Sequence, residues 1–246
     1  MCFQIIVLAG GYGTRINSII GDTPKILAPI NDKPFIDWLI IWINSWGISN
    51  KKNIILSTCV GHEEIDSYCK SKGYKINCVK ETKPLGTFGA IANVCSKFFS
   101  NDYIIINGDT ILKTDLNSIA KLYKNDTDNK PLILLKRNNF KNLGGYIKKN
   151  KGWIYSASET EYISTGIFFI SYEEIKSRWL KKTKTNFKNE IINKQYKNKY
   201  MIDKDCFSVN PISAKIFENE LPFIDIGIPS EYKKAQDYIP KILRKK

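Results

Sequence analysis

The first apolar run, Phe3 to Leu8, is short and continuous and stops at Gly10-Gly11. A run of that form is a strand buried on both faces that enters a glycine turn. Phe35 to Trp46 then reads as a buried helix closed by Gly47, Asn53 to Thr58 as a second strand, and Glu63 to Ser71 as a helix stopped by Gly73. Tyr74 to Val79 is a third strand, Phe88 to Phe99 a helix, and Tyr103 to Ile106 a fourth strand closed by Asn107-Gly108-Asp109. Strands alternating with helices of about 10 residues imply right-handed βαβ units and a mostly parallel sheet covered on both faces. Beyond about residue 130 the rhythm tightens: Leu132 to Lys136, Gly145 to Lys148, Trp153 to Ala157 and Ile163 to Ile170 are strand-like, with Gly144-Gly145 and Asn150-Lys151-Gly152 as turns. Such spacing predicts antiparallel strands that extend the sheet. Tyr172 to Lys181, Phe187 to Tyr196 and Ser230 to Tyr238 look helical, and Pro222 to Ile226 is a short strand. The expected architecture is a single α/β domain over residues 1–246, a Rossmann-like mixed, mostly parallel sheet flanked by helices with an antiparallel extension.

Composition narrows the class. The 246 residues are 43% hydrophobic and 12% aromatic, enough for a substantial core, and exclude disorder, collagen and disulfide miniproteins. No apolar stretch reaches the roughly 18 to 20 residues of a membrane span, since Asp37, Asn44 and Ser45 interrupt the longest candidate. No signal peptide is recognisable at the N-terminus, so the expected location is the cytoplasm. Cys2, Cys59, Cys69, Cys78, Cys95 and Cys206 form no C-x-x-C pair and read as reduced, buried small hydrophobes. The only histidine, His62, follows Cys59 by three residues, but it opens a helix with nothing nearby to orient it as a base. Lys and Arg number 38 against 24 acidic residues, a formal charge of +14. That charge suits either nucleic acid or small polyanionic substrates, and it is spread along the chain apart from the terminal Arg244-Lys245-Lys246.

The residues that carry chemistry begin with LAGGYGTR, Leu8, Ala9, Gly10, Gly11, Tyr12, Gly13, Thr14 and Arg15, followed by Pro24-Lys25. Glycines at a strand end let the backbone turn tightly and present N–H groups to an anion, and Arg15 adds a forked permanent cation. The string is neither a P-loop, which needs Gly-Lys-Ser/Thr, nor a dinucleotide fingerprint, which needs a third glycine where Ile16 stands. Asn107-Gly108-Asp109 puts a carboxylate at the end of the fourth strand, facing the same crevice. In Phe223-Ile224-Asp225-Ile226-Gly227 the period-2 alternation sets Asp225 opposite Ile224 and Ile226. Two such carboxylates beside a phosphate cradle suit a hard divalent cation, Mg²⁺.

These strings, with Pro84-Leu85-Gly86-Thr87 before a helix, resemble the sugar-1-phosphate nucleotidyltransferase family, in the right order from Ile5 to about Tyr238. The resemblance implies the nucleotide-diphospho-sugar transferase fold. Glu81-Thr82-Lys83-Pro84-Leu85-Gly86-Thr87-Phe88-Gly89-Ala90 looks most like guanylyltransferases that act on manno-configured sugar 1-phosphates, and the short chain is similar to those specific for D-glycero-α-D-manno-heptose 1-phosphate. It implies Arg15, Lys25 and Asp109 as catalytic residues, Mg²⁺ on Asp109 and Asp225, and GTP with a sugar 1-phosphate as partners, with no nucleic acid or membrane. The nucleotide side would comprise the loop Leu8 to Arg15 with Glu81, Pro84, Gly86 and Thr87. The sugar side would comprise Asn107, Gly145, Glu159 and Thr165. By the same resemblance Glu81 reads the base: a carboxylate accepts both the N1–H and the 2-amino group of guanine, whereas thymine and uracil oppose it with carbonyls. Two departures stand out. Thr160 follows Glu159 where many members place a lysine on the sugar phosphate, so another lysine must supply that charge or the phosphate is held differently; and Ile228 stands where Thr is common. Oligomeric state, a homodimer included, is left open.

Overall fold

The computed structural model describes residues 3–48, 54–138, 144–184, 199–208, 210–217 and 222–243, and of Glu159 the backbone alone. The expected helix Phe187 to Tyr196, Cys2 and the terminal basic triplet lie outside the described residues. The strands are β1 (Gln4–Leu8), β2 (Pro29–Ile30), β3 (Lys33–Pro34), β4 (Ile54–Thr58), β5 (Ile76–Lys80), β6 (Asp102–Asn107), β7 (Thr110–Leu112), β8 (Leu132–Arg137), β9 (Gly144–Lys149), β10 (Gly152–Glu159), β11 (Tyr162–Ser171), β12 (Ser213–Phe217) and β13 (Phe223–Asp225). The helices are α1 (Asn17–Ile20), α2 (Phe35–Asn44), α3 (His62–Ser71), α4 (Gly86–Lys97), α5 (Leu116–Asn125), α6 (Tyr172–Thr183) and α7 (Pro229–Leu243).

One sheet runs in the order β10-β9-β11-β6-β1-β4-β5, and β8 and β12 continue it from β11. The pairs β1–β4, β1–β6 and β4–β5 are parallel, while β11 is antiparallel to β6, β8 and β9. That is the mixed, mostly parallel sheet with an antiparallel extension that the spacing predicts. Because side chains alternate across a strand, Phe3, Ile5 and Val7 enter one core layer and Ile6 the other. Helices α2, α3, α5 and α7 cover the first layer; α4, α6 and the π-helical turn Ile202–Phe207 cover the second. Asp37, the polar break in the apolar α2, is 7% exposed and accepts hydrogen bonds from Tyr68 and Tyr74, which holds α2 against α3 without an orphaned charge.

The structure amends the pattern at several places. Gly144 and Gly145 lie inside β9 rather than in a turn, because Gly144 pairs with Glu159 and Gly145 with Ser156. Helix α5, strand β12 and the short β7 have no counterpart in the expected elements. His62 does open α3, but its Nδ1 lies 2.7 Å from Thr58 Oγ1, so a neighbour does orient the ring. Cys69, Cys95 and Cys206 are buried and reduced as expected, whereas Cys59 and Cys78 are half-buried.

The strand ends that matter meet at one edge. Leu8 pairs with Asn107, and the Ala9, Gly108 and Glu81 amides donate to Ser57 O, Leu8 O and Thr58 O at 2.8, 2.9 and 2.7 Å. The glycine loop after β1, the Asp109 turn after β6 and the Glu81 segment after β5 are thereby clamped together at the carboxyl ends of the parallel strands.

Candidate active site

The glycine loop leaves β1 pressed onto its neighbours. A Cβ on Gly10 would come 2.9 Å from Glu81 Oε1 and 3.2 Å from Cys59 Cβ, while Gly11 faces open space. Gly13 has φ of +63°, a left-handed turn that a side chain resists, and its carbonyl accepts the Ile16 amide at 2.9 Å to start α1. The loop thus exposes backbone at Gly11 and Thr14 and projects Arg15 outward.

Arg15, Lys25, Asp109 and Asp225 converge although they are spread over two hundred residues of chain. Lys25 forms an ion pair with Asp109 Oδ2, and both side chains are mostly covered. Asp109 Oδ1 accepts from Thr110 Oγ1 at 3.1 Å, and the Asp109 carbonyl accepts the Ile226 amide at 2.9 Å, which ties this turn to β13. Asp225 Oδ1 accepts the Gly227 amide at 2.8 Å. A Cβ on Gly227 would lie 2.9 Å from Asp225 Oδ1, 3.0 Å from an Arg15 guanidinium nitrogen and 3.2 Å from Asp109 Oδ2. Gly227 is therefore the floor on which two carboxylates and a guanidinium close, and a side chain there would crowd all three. The expected alternation holds, with Ile224 and Ile226 buried and Asp225 turned to the charged side.

On the nucleotide side Glu81 is 6% exposed, accepting from Ser57 Oγ at Oε1 and from the Leu85 amide at Oε2, both at 3.0 Å. Burial pushes its carboxyl above the usual range and these two bonds pull it back. The Tyr200 backbone pins the following segment, accepting from the Phe88 amide and donating to Leu85 O, each at 2.8 Å. A side chain on Gly86 would strike Tyr200 O at 2.5 Å. Thr87 caps the same contact by accepting the Ile202 amide at 2.8 Å, and Pro84 is half-buried beside it.

The sugar-side residues divide. Asn107 stands at the end of β6, its amide nitrogen 2.5 Å from where a Gly166 Cβ would be. Thr165 is 1% exposed and gives its hydroxyl proton to Leu134 O at 2.9 Å, so its donor is committed inside the sheet. The space a side chain on Gly145 would take is filled by Tyr162 O and Thr160 Oγ1, so this glycine admits the neighbouring chain rather than a ligand on that side. Glu159 ends β10, and its side chain is outside the described set.

The family model described as Nucleotidyl transferase matches residues 4–240. The chain belongs to this nucleotidyl transferase family. It is 30% identical over 239 residues to the D-glycero-alpha-D-manno-heptose 1-phosphate guanylyltransferase of Aneurinibacillus thermoaerophilus, covering 95% of this chain and 96% of that protein. It is 34% identical over 237 residues to the protein of the same name from Campylobacter jejuni, covering 93% and 96%. The crystal structure of HddC from Yersinia pseudotuberculosis superposes with a TM-score of 0.72 at 26% identity, over 96% of this chain and 98% of that one.

In this nucleotidyl transferase the carboxylate pair fits a divalent cation. Burial first and the Asp109 charge second push Asp225 up to about 6, against the pull of the Gly227 amide, Lys25 and Arg15. The pair has a consequence for the metal-free protein. A carboxyl near 3.8 in the unfolded chain and about 6 in the fold adds no cost below the first value and its full cost above the second. Asp225→Asn keeps an oxygen for the Gly227 amide and is expected to be more stable than the natural protein at pH 7.5 in EDTA, by on the order of 2 kcal/mol. The gain should fade as pH falls through the window from about 6 to 3.8. Paired thermal melts across that window check it; a gain that does not change with pH would refute the crowding.

Three features of the site are absent from any local motif. Ser57 fixes Glu81 from another strand, Tyr200 clamps the Leu85 to Thr87 segment from more than a hundred residues away, and Lys136 packs on Phe223 from β8, where the Asp225 charge bears on it. Each depends on long-range pairing that periodicity does not report.

Proposed function

We propose that the chain is a guanylyltransferase that joins GTP to D-glycero-α-D-manno-heptose 1-phosphate, giving a GDP-sugar and pyrophosphate. The single observation that carries this reading is the convergence of Arg15, Lys25, Asp109 and Asp225 beside the glycine loop in a chain matched end to end by two heptose 1-phosphate guanylyltransferases.

The chemistry asked of these residues is modest. A phosphate oxygen of the sugar 1-phosphate attacks the α-phosphorus of GTP in line; the new P–O bond forms as the bond to the β-phosphate oxygen breaks, and pyrophosphate leaves with the electron pair. The nucleophile is already an anion, so no general base is required, and catalysis consists of positioning and neutralising charge. Arg15, exposed at the loop end, meets the β- and γ-phosphates and the departing pyrophosphate. Lys25 turns from Asp109 to the α-phosphate. Asp109 and Asp225 would hold Mg²⁺, which when bound neutralises charge on the reacting phosphates. The backbone from Leu8 to Thr14 cradles the triphosphate.

Glu81 carries the choice of base. Its two oxygens each accept one bond, which leaves lone pairs for two donors of a guanine edge, and Ser57 and Leu85 fix their direction. The test is a pyrophosphate-release matrix of GTP, ATP, UTP, CTP and dTTP against the heptose, mannose and glucose 1-phosphates. GTP with the heptose phosphate is expected to lead, with UTP and dTTP lower by about 10² or more. Turnover of dTTP or UTP equal to GTP would remove Glu81 from base reading. Mannose 1-phosphate as the better acceptor would move the substrate to the reading favoured by a relative in Sulfolobus acidocaldarius, a putative mannose-1-phosphate guanyltransferase 24% identical over 93% of this chain.

A further inference from the structure

The reaction brings a phosphate dianion toward a triphosphate and two carboxylates. Such an approach needs positive charge on the acceptor's side, since unscreened repulsion of this kind opposes both binding and the transition state. Arg15 and Lys25 are committed elsewhere, one to the end of the glycine loop and the other to Asp109. The stretch after β10 offers no replacement: Thr160 is 8% exposed and spends its hydroxyl on Tyr162 O, and the nearby Arg137 is exposed and paired with Glu161.

Strand β8 brings another cation to the same edge. Lys136 lies one residue from the strand's end, opposite Ile163 of β11 and Phe217 of β12. Its ammonium stands 4.2 Å from the centre of the Phe223 ring. Phe223 and Asp225 are two apart on β13 and so share a face, and the Lys136 charge is felt by Asp225 and by Glu231 at the start of α7. Among the described residues, those two carboxylates bear on it from the packed elements. Half-buried against an aromatic ring, the ammonium has lost much of its water; that desolvation pushes it below the usual lysine range even though Asp225 and Glu231 pull the other way. A cation in that setting attracts a phosphate more strongly than one on the open surface.

We propose that Lys136 binds the phosphate of the sugar 1-phosphate beside Asp225. The proposal rests on the guanylyltransferase reading, and it gives the positive charge that Thr160 lacks to a different strand. It makes Lys136 a determinant of acceptor binding, separate from the nucleotide cradle. The alternative is that Lys136 only packs on Phe223 and offsets Asp225.

Lys136→Met separates the two, because it keeps the hydrocarbon stem over Phe223 and removes the charge. With GTP and D-glycero-α-D-manno-heptose 1-phosphate, the methionine variant is expected to lose about 10²-fold in kcat/KM for the sugar phosphate, most of it in KM. Its Kd for GTP with Mg²⁺, by calorimetry, should stay within about threefold of the natural protein, and Lys136→Arg should recover most of the loss. Equal kcat/KM for the sugar phosphate, or a parallel loss of GTP affinity, overturns the proposal. Calorimetric binding of the heptose 1-phosphate and of mannose 1-phosphate to both proteins keeps the answer independent of turnover. If the natural protein turns over no pair in the matrix, the guanylyltransferase reading fails; weaker sugar-phosphate binding by the variant would still support Lys136, and equal binding would refute it.

Discussion

Asp109→Ala is expected to lower pyrophosphate release from GTP by about 10³-fold or more while leaving the fold intact. The expectation follows from where the carboxylate stands. Asp109 shares the ground above Gly227 with Asp225 and Arg15, and its Oδ2 holds Lys25. On the proposed mechanism, removing it deletes one of two oxygen ligands for Mg²⁺ and frees the lysine that would meet the α-phosphate, so positioning and charge neutralisation fail together. The backbone role survives, because the Asp109 carbonyl still accepts the Ile226 amide. Stability should therefore change little, since losing the Lys25 ion pair is offset by relieving the Asp109 charge that bears on Asp225. The variant should keep the natural circular dichroism spectrum and a similar Tm, and it should lose its response to added Mg²⁺. Near-normal turnover would remove Asp109 from the metal site.

Arg15→Ala is expected to cost about 10² or more in kcat, with a smaller effect on the KM for GTP. Pyrophosphate gathers charge as it leaves, and a forked guanidinium at the loop end answers charge that develops rather than charge already present. Arg15 is exposed, so no folding defect should obscure the measurement. Steady-state kinetics in GTP decides it: a rise in KM with kcat unchanged would make Arg15 a ground-state contact. Arg15→Lys should recover only part of the loss, since an ammonium cannot reproduce the fork.

Much of the fold and the centre of the site were legible because they are local. Strands β1, β4 and β6 are unbroken apolar runs between turn residues, and Gly10, Gly13, Asp109 and Asp225 lie at strand ends or alternations that pattern exposes. Helix α5 carried its own signal, Leu116, Ile119, Ala120 and Tyr123 at helical spacing behind an Asp115 cap that accepts the Ser118 amide, but the polar residues between them diluted it. Strand β12 gives no alternation, because its residues are half-buried or exposed on an outer strand of the sheet. Thr165 shows the opposite case: its residue type fits a sugar pocket, and only the sheet reveals that Leu134 already takes its proton, leaving the hydroxyl as an acceptor. Glu81 was legible as a base reader, but the Ser57 bond that fixes it and the Phe223 ring under Lys136 are contacts that no short window contains.

The Lys25–Asp109 pairing has a further consequence. Arg15 and Lys25 set two positive charges against the two negative charges of Asp109 and Asp225, so the centre balances itself before anything binds. Ligand entry then exchanges partners among existing charges and strands none of them in the interior. A balanced centre casts little field into solvent, so the pull on distant polyanions comes from the +14 charge of the chain as a whole. On the proposed reading capture and discrimination are therefore separable: the overall positive charge draws in phosphorylated compounds, and the charged centre decides which of them reacts.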